Sequence, residues 1–76
     1  MRAVVQRVSR AQVRVAGNAT GTIDGGLVVL LSVGVDDDDR DAEQIAEKIA
    51  NLRIFRDDDG LMNRSIAEVS GAILLI

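Results

Sequence analysis

Residues 2–10 alternate between two faces. Ala3, Val5, Arg7 and Ser9 fall on one, and Val4, Gln6, Val8 and Arg10 fall on the other. A period of two with valine enrichment predicts a β-strand, and neither face is wholly polar. Val13 and Val15 continue the period. Gly17-Asn18 then supplies a turn across which Ala19–Ile23 pairs back as a hairpin. Asp24-Gly25-Gly26 marks a second turn. It leads into Leu27–Val35, an almost unbroken apolar run, which predicts a central strand buried on both faces. Asp36–Asp39 ends that strand and opens a helix over about 41–53, with Asp38 or Asp39 as the cap. Ala42, Ile45, Ala46, Ile49 and Leu52 recur at helical spacing, while Glu43, Gln44, Glu47 and Lys48 form the wet face. Leu52–Phe55 reads as the helix exit or a short strand. Asp57-Asp58-Asp59-Gly60 is a tight turn, Asn63 and Ser65 are local caps, and Ser70-Gly71 opens a last apolar strand, Ala72–Ile76. An α/β class follows: one domain, an antiparallel-rich sheet and one main helix.

The composition narrows the chemistry. The chain of 76 residues has no His, no Cys and no Pro. Without imidazole or thiolate, neither a Ser-His-Asp triad nor a zinc-thiolate site can form. One Phe and no Trp or Tyr leave no stacking platform for single-stranded nucleic acid. The N-terminus lacks the long apolar segment of a signal peptide. The longest apolar run is about half of the ~20 residues that a membrane helix needs. A soluble, cytoplasmic protein is the expectation. A chain this short buries only roughly 60% of its unfolded surface. Yet 47% of its residues are hydrophobic, so its core is either very efficient or completed from outside these residues. The apolar strand at the end, with no polar exit, points the same way. Termini normally lie at the surface, so the chain is expected to be a piece of a longer domain.

Few residues form a candidate site. The acids Asp36–Asp39 read as a solvated helix N-terminus rather than a cation site, because consecutive side chains do not converge. Asp57-Asp58-Asp59-Gly60 fails as a calcium loop: with Gly60 at the sixth position, Phe55 and Ile66 stand where carboxylates are needed. The glycines form no phosphate loop. Arg2, Arg7, Arg10 and Arg14 precede the first acid, Asp24, and offer a phosphate-facing surface or ordinary strand-edge charges. The net charge of −3 opposes strong non-specific binding to nucleic acid. Arg7 stands apart. It shares a face with Ala3 and Val5, so it is expected to be half-buried and tied to a carboxylate or backbone carbonyls. Lys48 reads as a solvated or salt-bridged residue. No nucleophile-base pair is legible.

Five segments in register resemble the D-aminoacyl-tRNA deacylase family. Met1–Ala11 is similar to its opening strand and Gly26–Val35 to its central strand. Ala46–Phe55 is similar to its helix exit, and Asp59–Ser65 and Gly71–Ile76 follow in order. The resemblance implies a single α/β domain whose antiparallel-rich sheets curl into a barrel-like core, with residues 1–76 as its N-terminal portion. It implies a homodimeric ester hydrolase of translation quality control. Such an enzyme removes D-amino acids, and mischarged glycine, from the 3′ end of aminoacyl-tRNA; no cofactor and no metal-binding residue is assigned. Neither a membrane nor DNA is implied as a partner. Backbone groups and the terminal 2′-OH of the tRNA carry the chemistry in that family, which suits a chain without His or Cys.

Two family signatures are missing. The Ser-Gln-x-x-Thr motif that follows the last strand is absent, and so is the Gly-cisPro motif that rejects L-amino acids. No catalytic or substrate-binding residue carries over. The resemblance matches Arg7 to the arginine that braces the Gly-cisPro loop, with Gln6 beside it, so both are expected to support the active site. The chain alone is expected to be inactive and marginally stable. The alternative is a short non-catalytic dimerisation module that pairs through its strand edges.

Overall fold

A computed structural model describes all 76 residues. Seven strands and one helix follow in the order β1 (Arg2–Val8), β2 (Ala11–Val15), β3 (Asn18–Ile23), β4 (Gly26–Ser32), α1 (Asp39–Asn51), β5 (Phe55–Arg56), β6 (Met62–Arg64) and β7 (Ala72–Leu75). They form three sheets: β1-β4-β7, the hairpin β2-β3, and the short pair β5-β6. Three of the four pairings are antiparallel, and only β4-β7 is parallel. The α/β class and the antiparallel-rich sheets are as expected. The sheets remain separate, with no closed barrel among these residues.

β4 holds the fold together because it alone has partners on both edges. Its register sets Arg7 opposite Leu27, Val5 opposite Val29 and Ala3 opposite Leu31, so these six share one face. Leu27 and Val29 are almost wholly buried there, at 0% and 1% exposure. Ile49 of α1, Phe55 and Ile66 complete the buried core, with Val5, Ile45 and Val69 packed around it. Expected burial on both faces of β4 is not found. Leu30, on the opposite face, is 47% exposed, because only the β2-β3 hairpin approaches that side. The strand also ends at Ser32, and Val33 and Val35 are exposed.

α1 starts and stops two residues earlier than predicted. Asp38 caps it, accepting from the backbone N–H of Arg40 and Asp41, while the Asp41 carboxylate accepts from the Asp38 N–H. This reciprocal cap sets the first turn. At the other end Leu52 is extended, so it leaves the helical face it was assigned to. The first hairpin turn also shifts by one residue. Ala16 and Gly17 are its central pair, both with positive φ, and Asn18 already belongs to β3. Asp57 organises the later turn, its carboxylate accepting from the Asp59 and Leu61 N–H groups.

Gly26 is the tightest point of the sheet. A Cβ built on it would lie 1.9 Å from the carbonyl oxygen of Ala72. The chain needs this close approach to start the parallel pairing of β4 with β7. Gly26→Ala should therefore cost about 2 kcal/mol, as overpacked sites do, with the loss concentrated in β7. Urea unfolding with amide exchange at Ala72–Leu75 checks this, and an unchanged midpoint would refute it.

Candidate functional site

The side of the sheet that carries Leu27 ends in a groove of about 400 Å³. The end of β1, the turn before β4, strand β5 and the turn before β7 meet there, bringing Arg7, Ser9, Gly25, Arg56 and Gly71 to its walls. Two local devices build it. The Ser65 hydroxyl accepts from the Glu68 N–H and the Glu68 carboxylate accepts from the Ser65 N–H, which closes the turn after β6. Gly71 then passes close under β4. A Cβ there would lie 3.0 Å from Ile66 and 3.4 Å from the carbonyl oxygen of Gly25.

Arg7 is the one polar anchor that ties the groove to the core. Its Nη1 donates to the carbonyl oxygen of Ile54 at 2.7 Å, linking β1 to the segment that leaves α1. The partner is a backbone carbonyl, one of the two kinds expected. The expected half-burial is not found: Arg7 is exposed, because α1 and β5 cover only the middle of this face. Gln6 does not enter the groove. It pairs with Val28 and projects from the opposite face of the sheet. Arg2 lies on that opposite face too, and Arg14 donates to the side chain of Gln12 in the hairpin. The early arginines thus do not form one surface. Arg56 joins Arg7 instead, and sequence reasoning missed it, because a lone cation after Phe55 carries no motif.

The chain contains two ion pairs, the N-terminal ammonium with Asp37 at 2.6 Å and Arg64 with Asp58 at 3.1 Å. Neither involves Arg7 or Arg56. The groove therefore presents two guanidinium groups with no carboxylate on its walls, a setting that favours an anionic group. Its one hydroxyl, on Ser9, has no base beside it. The arrangement can hold and orient, and it contains no nucleophile-base pair.

Three carboxylates are held low by local donors, Asp37 at the N-terminal end of β1 and Asp57 and Glu68 in the turns around β6. The N-terminal ammonium holds the Asp37 carboxyl below its usual range, helped by the Gly34 N–H donating at 2.6 Å. Asp57 is lowered by the Leu61 and Asp59 N–H groups, and Glu68 by the Ser65 N–H and hydroxyl. Each carboxylate fixes a loop.

Residues 4–76 match the family of D-Tyr-tRNA(Tyr) deacylases. The chain belongs to that family. It is 57% identical over all 76 residues to a D-aminoacyl-tRNA deacylase of Koribacter versatilis and 53% identical to one of Thermus aquaticus. These cover 100% of this chain but 51% and 50% of the two relatives. The chain thus spans about half the length of the curated relatives it matches. A solved structure titled c-Myc DNA Unwinding Element Binding Protein superposes with a TM-score of 0.94 at 39% identity. It covers 99% of this chain and 51% of its own. The α/β arrangement above is therefore the deacylase family's fold over that half.

Two outcomes are expected from this geometry. Arg7→Met removes the link to Ile54 and should lower stability by about 1 kcal/mol, a fall of roughly 5 °C in melting temperature. A melt that matches the unchanged chain would show that the link contributes nothing. The lowered carboxylates stabilise the folded chain above their ordinary values, 3.8 for Asp37 and Asp57 and 4.5 for Glu68. That contribution is lost as pH falls below them, because the unfolded chain then binds protons more readily. Denaturant midpoints should drop between pH 5 and pH 3, and less steeply in Asp37→Asn; equal slopes would contradict the role of Asp37.

Proposed function

We propose that the full family domain to which this chain belongs hydrolyses the ester of D-aminoacyl-tRNA, and of mischarged glycyl-tRNA. It does so as a cytoplasmic homodimer in translation quality control, with residues 1–76 forming its N-terminal portion. The observation that carries this reading is the family match over residues 4–76, with relatives of that name at 57% identity across the chain. In the reaction, water adds to the ester carbonyl carbon, a tetrahedral oxyanion forms, and the bond to the ribose oxygen breaks. The tRNA hydroxyl and the free amino acid leave. Such a step needs donors aimed at the oxyanion and a held substrate more than an ionisable side chain. A chain without His or Cys is compatible with that demand.

Arg7 then serves as a positioning residue. Its hydrogen bond to Ile54 braces the wall of the groove, and it makes no contact with the reacting atoms. Gln6 supports the site only indirectly, from the far face of the sheet. The chain has no Ser-Gln pair and no proline, so neither family signature is supplied by these residues. The chain alone is accordingly inactive.

A second reading is a non-catalytic module that dimerises through its strand edges, favoured by the open edge of β7. The solved relative's title names a DNA element. For this chain the higher identity to deacylases favours an aminoacyl-tRNA substrate instead.

The test uses two proteins, this chain alone and a single-chain chimera in which it replaces the matched half of the Koribacter versatilis relative. The chimera should release D-amino acids from tRNA and spare the L-aminoacyl ester, while the chain alone should not exceed uncatalysed hydrolysis. A chimera that is folded but inert would sink the assignment, and a chain active alone would overturn its inactivity.

A further inference from the structure

The first residue is held at both of its ends. The Met1 side chain lines an apolar cleft between α1 and the sheet, with Leu31, Ala42 and Ile45, and is only 7% exposed. Its α-ammonium meets the Asp37 carboxylate at 2.6 Å, and the Asp37 side chain is 16% exposed. The same carboxylate oxygen, Oδ2, accepts from the Gly34 N–H at 2.6 Å, and the Asp37 N–H donates back to the Gly34 carbonyl at 3.2 Å. One carboxylate therefore closes the turn that follows β4 and grips the start of β1. The next residue, Asp38, caps α1.

No other cation can take the place of the ammonium. The only further ion pair is Arg64 with Asp58, and the chain's one lysine, Lys48, lies exposed on α1. Asp41 lines a small pocket with Met1, but its carboxylate is committed to the Asp38 N–H. An ion pair between solvated side chains contributes little. When both partners are shielded, removing one leaves the other charge without compensation, and that costs more. An acyl group on the α-nitrogen would do so. It removes the positive charge, leaves a single neutral N–H donor, and adds a carbonyl where there is little room.

We propose that the Met1 α-nitrogen is an acylation-sensitive site. A formyl or acetyl group placed on it before folding releases Asp37 and loosens the connection between β4 and α1. Once folded, the chain shields the free amine from activated acyl donors. Acylation needs a nitrogen lone pair to attack the acyl carbon; the N–C bond forms, the donor's leaving group departs and the displaced proton passes to solvent. An ammonium paired with Asp37 offers no lone pair, and the walls around Met1 restrict approach. The proposal rests on the contacts of this chain and not on its proposed activity.

The test uses the chain with Lys48→Arg, in which the α-nitrogen is the only primary amine. Treated with the N-hydroxysuccinimide ester of acetic acid and followed by mass, the folded chain should be acetylated at least tenfold more slowly than the urea-unfolded chain. Asp37→Asn, whose amide oxygen can still accept from Gly34, should lose most of that protection with its far-ultraviolet spectrum unchanged. Chain acetylated while unfolded and then refolded should exchange its Gly34 and Asp37 amides at least tenfold faster, with the β2-β3 amides unaffected. Its melting temperature should fall by about 5 °C, and acetylation of Asp37→Asn should add little to the fall caused by the substitution. Equal acetylation of folded and unfolded chain overturns the proposal, as does unchanged exchange at Gly34 and Asp37; neither readout needs a variant of Asp37. An equal further fall on acetylating Asp37→Asn overturns it too.

Discussion

Where β7 begins, the carbonyl of Ala72 comes so close to Gly26 that no side chain can stand there. This contact starts the parallel pairing that gives β4 its second partner. The rest of the arrangement depends on it. With β1 on one edge and β7 on the other, β4 presents Leu27 and Val29 as the floor against which Ile49, Phe55 and Ile66 pack. Parallel neighbours need a long crossover, and here α1 and the β5-β6 pair lie within it. The turn at Ser65–Ser70 must then return the chain to within reach of Gly25, which it does through the reciprocal Ser65–Glu68 cap and the narrow passage at Gly71.

The core that results is thin. Only six residues are buried, and one of them is Gly26 itself. Hydrophobic stabilisation scales with apolar area removed from water, at about 25 cal/mol per Å². A slab that leaves Ile73, Leu75 and Leu30 substantially exposed therefore draws on a fraction of what its composition could supply. The apolar residues of this short chain line both faces of the central sheet, one covered by α1 and the core residues and the other only partly by the β2-β3 hairpin.

Charge is distributed along the same axis. One end of β1 carries the N-terminal ammonium in contact with Asp37 and the acidic start of α1, and the other end carries Arg7 and Arg56 around the groove. The carboxylates at the acidic end are engaged with N–H groups and serve the loops. The guanidinium groups at the basic end have no carboxylate partner, although Arg7 is anchored to Ile54. Local hydrogen bonding has thus consumed the negative charges that fix backbone and left a positive groove open, and a groove of that kind orients an anionic ligand without supplying a nucleophile.

Much of this was legible along the chain. Alternation located β1, the apolar run located β4, and the spacing of Ile45 and Ile49 located α1, because each pattern reports one local period. The acid run was legible as a helix start for the same reason, although the Asp38–Asp41 cap, rather than the apolar spacing, decided the boundary. Arg7 was legible as anchored, since a cation among apolar neighbours needs a partner. Its exposure, the separation of Gln6 onto the opposite face and the arrival of Arg56 in the groove were not, because they depend on which elements cover which part of the sheet. Sequence by itself determined the elements, the family and the absence of a side-chain nucleophile-base pair. Only the tertiary structure decided that β4 is covered on one side, that two arginines far apart in the chain share a groove and that β7 keeps an open edge. Burial and convergence arise from contacts between residues distant in sequence, and no local period encodes them.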